Sequence, residues 1–305
     1  MATKLNVGLR VPSLHPVDTG RLKAFVQEAD ALGFHSIWVG DHVFHHVDVL
    51  QPLELLSWIA GLTEHVRLGT AVMLTAYLNP VLLAKAAASL DQLSGGRLTL
   101  GVSLGGTPAE YASIGVPMEQ RLGRLLESVA VMRKLWQEED VAYAGRYYQV
   151  EGGNIRPKPV QPGGVPLCFG ATSEAMMRRI ARVADGWVAN GASPIEDFVA
   201  GIKLIRDEAT ARGRDPDSLI FAKLHGVSLH ADKATARAMA ERQWQSYYSP
   251  RFNVDATTIY GTPAECREKL QAFAAADAPE VTLILEPSNL ELDQLRLLRE
   301  ATANL

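Results

Sequence analysis

Residues 66–102 read VRLGTAVMLTAYLNPVLLAKAAASLDQLSGGRLTLGV, and the fold is decided inside this stretch. Val66–Met73 is a run rich in apolar residues with the length of a strand, and Arg97–Ser103 is another. Between them Pro80–Leu93 has the apolar spacing of a helix, stopped by Ser94-Gly95-Gly96. Two buried strands joined through a helix pair in parallel, by a right-handed crossover.

The same alternation continues on both sides. Upstream, Lys4–Val11 and Ser36–Gly40 read as strands. Thr19–Leu32 reads as a helix, with Leu22, Phe25, Val26, Ala29 and Leu32 on one stripe, and Pro52–Leu62 as a second. Downstream, the spacing predicts strands at Pro166–Gly170, Gly186–Asn190, Leu219–Leu229 and Val281–Leu285. It predicts helices at Leu122–Trp136, Glu174–Ala184, Pro194–Arg212, Lys233–Tyr247, Pro263–Ala276 and Leu290–Ala303. Two stretches break the rhythm. Val141–Val150 carries Tyr143, Tyr147 and Tyr148 around Ala144-Gly145-Arg146 and reads as a hairpin outside any barrel, followed by a Pro-rich connector from Pro157 to Pro166. Ser249–Tyr260 reads as irregular. The strands number about eight, so the expected fold is α/β, a TIM (β/α)8 barrel with insertions. It forms a single domain over 1–305, with an inserted lobe at about 105–165 and a second irregular insertion at about 249–260. An open doubly wound sheet is the alternative.

Composition agrees with a large core. The chain has 305 residues, 47% of them apolar, and a net charge of −4, which excludes a disordered chain. It has no dense Lys/Arg run, no secretory pattern at its start and no uninterrupted apolar stretch of ~18 residues. Cys168 and Cys266 are its two cysteines, too few for a disulfide framework. The expectation is a cytoplasmic protein that binds a small molecule, with no nucleic-acid or membrane partner.

In a barrel the loops leaving the C-terminal strand ends build the site. The second strand exits into Asp41-His42-Val43-Phe44-His45-His46-Val47-Asp48. His42, beside the strand end, suits general acid–base work; His45 and His46 read as idle loop residues. His42, His45, His46 and Asp48 are all metal-ligand types, but the first strand exits as Leu9-Arg10-Val11-Pro12 and offers no ligand, so no metal is expected. Gly69-Thr70-Ala71-Val72, at the third strand, either lets a flat ring approach the backbone or packs inside the barrel. The fourth strand exits into Ser103-Leu104-Gly105-Gly106-Thr107-Pro108-Ala109-Glu110-Tyr111, a flexible polar rim in which Glu110 reads as exposed. Gly170-Ala171-Thr172-Ser173 precedes a helix and is either an anion cradle or an ordinary N-cap. Asn190-Gly191-Ala192-Ser193 adds an amide and a hydroxyl, or is plain turn chemistry. Walker-type, dinucleotide-binding and nucleophile-elbow fingerprints are missing.

Three of these runs carry a resemblance: ADALGFHSIWVGDHVF at 29–44, the stretch 66–102, and PKPVQPGGVPLCFGATSEAMMRRIARVADGW at 157–187, joined by the shorter MRKLW and GRYYQV. Over most of the first 190 residues the chain resembles the bacterial luciferase-like family of flavin- and deazaflavin-dependent oxidoreductases. The resemblance implies a barrel, often homodimeric, with the cofactor ring over its mouth. It implies a non-proline cis peptide at Ala71–Val72 behind the ring and the cofactor phosphate at Gly170, Ala171, Thr172 and Ser173, with Thr70, Ser103, Gly105 and Asn190 completing the cofactor site. In the deazaflavin branch it implies His42 as the acid–base residue, with Asp41 beside it. The pattern of sugar-phosphate-oxidising members is not matched: Gly106 stands where they carry a Glu, and His46 near where they carry a Trp. The expected activity is hydride transfer between coenzyme F420 and a small organic substrate. A reduced-FMN monooxygenase and a non-catalytic flavin-binding protein are the alternatives.

Overall fold

The computed structural model describes residues 3–13, 15–303 and 305. Its strands are β1 Lys4–Arg10, β2 Ser36–Val39, β3 Arg67–Thr70, β4 Met73–Leu74, β5 Leu98–Ser103, β6 Val141–Ala144, β7 Gln149–Gly153, β8 Leu167–Gly170, β9 Gly186–Ala189, β10 Ile220–Leu229, β11 Thr258–Gly261 and β12 Glu280–Pro287. The helices are α1 Thr19–Ala31, α2 Pro52–Ala60, α3 Pro80–Leu93, α4 Pro108–Ile114, α5 Arg121–Gln137, α6 Glu174–Val183, α7 Ile195–Ala211, α8 Lys233–Tyr247, α9 Val254–Thr257, α10 Pro263–Gln271 and α11 Leu292–Thr302.

Parallel pairing runs β12–β1–β2–β3–β5–β8–β9–β10 and returns to β12. The eight strands close a ring, so the open-sheet alternative is wrong. Strand side chains alternate between two cores. Trp38, Ala71, Cys168, Val188, Ala222 and Ile284 fill the barrel. Their neighbours, such as Phe169 and Phe221, face the helix layer with Phe25, Phe198 and Phe273.

Three expectations about elements change. Val66–Met73 is not one strand: β3 stops at Thr70, the Ala71–Val72 peptide is cis, and β4 begins at Met73. Thr107–Tyr111 is not loose rim: Thr107 and Glu110 form a reciprocal capping box, which starts α4. Ser249–Tyr260 is partly regular, since it contains α9 and the start of β11. β11 matters to the mouth. β10 pairs with β9 from Ile220 to Lys223 and with β11 from Gly226 to Leu229. The same strand edge changes partner, and the barrel wall parts between them.

Two carboxylates, buried Asp91 and half-buried Asp185, fix the Pro-rich connector and β8. Asp91 on α3 accepts from the Val160 and Gln161 amides (2.8 and 3.1 Å) and from Gln161 Nε2 (2.7 Å), which ties down the Pro-rich connector. Asp185 accepts from the Leu167 amide at 2.8 Å and pairs with Arg133, which sets where β8 begins. The β6–β7 hairpin lies apart as an antiparallel pair. Among the described residues no helix is long and apolar enough to cross a membrane.

Candidate functional site

A cavity of about 420 Å³ opens at the C-terminal ends of the strands. Ala71, Val72, Ser103, Gly105, Gly170, Ala171, Thr172, Ser173 and Asn190 all line it. These residues come from four separate strand exits, and the parallel ring brings the exits together. Small residues make the room: a Cβ on Gly170 would stand 3.2 Å from Val72 and from Ser103. Thr70 is the exception among the sequence-predicted cofactor residues. Its side chain is fully buried and donates to the Gly101 carbonyl at 2.7 Å, behind the cavity wall.

The polar end of the cavity lies at α6. Ser173 caps the helix by accepting from the Met176 amide, so the ordinary N-cap reading holds. The amides of Thr172 and Ser173 find no acceptor among the described residues. With the open first turn of α6, they present N–H groups at the positive end of a helix dipole. A planar ring with an anionic tail fits this shape: apolar small residues at one end, unsatisfied donors at the other. Asn190 is partly committed, since its Oδ1 accepts from the Ala192 and Ser193 amides at 2.9 Å each.

His42 stands outside this lining, in a ladder of rings. It lies 4.7 Å from His45 and 6.3 Å from Tyr247, and His45 stacks on both His46 (4.4 Å) and Tyr247 (4.7 Å). These stacks, and the His46 Nε2 contact with the Ser246 carbonyl at 2.6 Å, set the β2 exit against the end of α8. Burial pulls the His42 pKa below the usual imidazole value; Glu110 opposes this and Arg10 adds to it. Asp41 is bound elsewhere. Its Oδ2 accepts from the Leu74 amide at 2.9 Å, which holds β4 just beyond the cis bond, and burial raises its pKa. Glu110 is not exposed, as its sequence context suggested, but 1% accessible. It accepts from the Thr107 amide at 2.6 Å and from Phe44 at 3.3 Å. Burial opposes its ionisation, but these hydrogen bonds outweigh that and keep its pKa low. Among the described residues no three His, Cys, Asp or Glu side chains are grouped to hold a metal.

Sequence reasoning missed Leu104, Met176, Val188, Ala189 and Leu224 in the lining. Leu104 and Ala189 adjoin residues already singled out, and Val188 and Met176 stand within three residues of them. Leu224 was hidden because 219–229 reads as one uninterrupted strand, while the mouth falls in its middle.

A family model described as luciferase-like monooxygenase matches residues 6–253. The F420-dependent glucose-6-phosphate dehydrogenase of Kineococcus radiotolerans is 32% identical over 204 residues, which are 64% of this chain and 60% of that relative. The chain thus spans less than two thirds of the length of that curated relative. The crystal structure of a monooxygenase from Streptomyces bottropensis superposes with a TM-score of 0.84 at 25% identity, over 99% of each chain. An F420-dependent secondary alcohol dehydrogenase, solved with an F420–acetone adduct, superposes with a TM-score of 0.84 at 20% identity, over 98% of each chain. That last likeness is one of fold.

Proposed function

The chain belongs to the luciferase-like monooxygenase family, and we propose that it is an F420-dependent oxidoreductase, moving a hydride between the deazaflavin and a small organic substrate at the barrel mouth. The observation that carries this reading is the 420 Å³ cavity, with small residues at one end and the donors of α6 at the other. The Kineococcus relative, F420-dependent by name, supports the choice of cofactor. When bound, a deazaflavin supplies a two-electron carrier that exchanges hydride and activates oxygen poorly. Ala71 and Val72 would back the ring, Ser103, Gly105 and Asn190 would border it, and Gly170 to Ser173 would hold the phosphate. His42 exchanges the proton that accompanies the hydride. Asp41 is a positioning residue through Leu74.

Reduced-FMN oxygenation is the second reading, supported by the full-length likeness to the Streptomyces monooxygenase. Anaerobic mixing with deazaflavin and a panel of alcohols separates the two. The expected result is substrate-dependent bleaching of the violet band. Oxygen uptake with reduced FMN, and no bleaching, overturns the proposal. The same proposal has the enzyme act as a homodimer: Trp58 on α2 and Leu82 and Leu93 on α3 leave apolar surface exposed.

A further inference from the structure

Beside the cofactor cavity lies a second one of about 220 Å³, and Asn190 and Leu224 line both. Its origin is the partner change of β10. Between Lys223, the last residue paired with β9, and Gly226, the first paired with β11, that strand edge is unpaired. The outer wall is aromatic. Trp244 is buried, and Tyr248 stacks on Phe252 with centroids 4.7 Å apart and planes 10° from parallel. Gly226 lets the Trp244 indole lie against the strand, since a Cβ there would run into it.

The charge in this chamber has one sign. Glu286 is the one ionisable acid lining it among the described residues, 5% exposed, and no Lys or Arg lines it. Two cations lie behind the lining: Lys223 Nζ is taken up by the Asn190 and Leu224 carbonyls, and Arg10, whose Nε is without a partner among the described residues, is paired with Glu286. Arg10 holds Glu286 Oε2 through Nη1, and its Nη2 donates to the Tyr247 hydroxyl at 3.2 Å. Glu286 Oε1 has no hydrogen-bond partner among the described residues. A phosphate ester entering here would meet a carboxylate and no cation in the lining, and a buried unpaired anion is strongly disfavoured. An apolar ring would meet aromatic faces, and a hydroxyl would find an acceptor in Glu286.

We propose that this chamber is the substrate subsite of the enzyme, that it takes an uncharged, mostly apolar ring alcohol, and that it rejects phosphorylated substrates. The proposal rests on the functional reading above. It is tested by calorimetric titration of the full chain, with and without deazaflavin, using 1-phenylethanol and its phosphate monoester as probes. The alcohol is expected to bind at least tenfold tighter than the ester. Phe252→Ala should weaken the alcohol at least fivefold and leave the deazaflavin Kd within twofold. Glu286→Gln, which frees Arg10, should strengthen ester binding at least tenfold, a gain that damage to the fold would not produce. Equal binding of the two probes, no binding of the alcohol, or an unchanged alcohol Kd in Phe252→Ala overturns the proposal. If the probes discriminate as expected but deazaflavin does not bind, the chamber stands and the cofactor reading falls.

Discussion

The His42 imidazole is half-buried against His45, and burial favours its neutral form at pH 7. A neutral ring accepts a proton, so in the proposed reaction His42 would serve as base when the substrate is oxidised. The acid limb of the kcat profile should then have its midpoint below the ordinary imidazole value of about 6.5. His42→Ala should lose that limb and on the order of 100-fold in kcat, with the deazaflavin Kd little changed; unaltered turnover removes His42 from the chemistry. Lys223 is a residue that sequence reasoning passed over. It is fully buried in the middle of β10 and donates to the Asn190 carbonyl and, at 3.1 Å, to the Leu224 carbonyl. It thus holds the two residues that separate the cavities. Burial pushes its pKa down to about 8. Above that pH the unfolded chain binds the proton and the folded chain does not, so folding gains stability as pH rises from about 8 towards the unfolded value near 10.4. Urea denaturation should show wild type gaining on Lys223→Met across this window, by at most roughly 1.4 kcal/mol per pH unit. Parallel curves for the two proteins contradict the assignment.

The elements differ in how openly the sequence announces them. The first turn of α6 was legible because Gly170-Ala171-Thr172-Ser173 follows an apolar run and precedes a helical stripe. α4 was missed although its Thr107-Pro108-Ala109-Glu110 start is a capping box, because two glycines just before it drew the whole stretch into a loop reading. The break between β3 and β4 is not visible in Val66–Met73 as a pattern; it was reached through the family resemblance at Ala71–Val72. The connector of the inserted lobe depends on one side chain from another element, Asp91. Asp91→Ala leaves two part-buried amides and the Gln161 side chain without their acceptor and should destabilise the protein by on the order of 2 kcal/mol in chemical denaturation. A loss below about 0.5 kcal/mol would show that the connector is held by its prolines instead.

At the scale of the whole molecule, the barrel was readable because alternation is a local signal repeated along the chain. The exchange of β9 for β11 beside β10 was not, because it depends on the register of strands far apart in sequence. The molecule also takes several imidazoles partly or wholly out of water: His225 is buried and His35, His42 and His45 are half-buried. Burial is the main cause that lowers the pKa of His35, His42, His45 and His225, the last to about 3. Below about pH 6.5 the unfolded chain takes up these protons first, so stability falls with acid. The urea midpoint should drop between pH 7 and pH 5; a flat response contradicts this burial. On the proposed reading, the donors at α6 would hold the anionic tail of a deazaflavin. Fluorescence titration of wild type and Thr172→Asp with F420 tests it most directly. An Asp ahead of α6 complements the helix dipole and leaves the fold at least as stable, while it repels the phosphate. One equivalent bound by wild type and at least tenfold weaker binding by the variant are expected; equal affinity in the two proteins would remove α6 from cofactor binding.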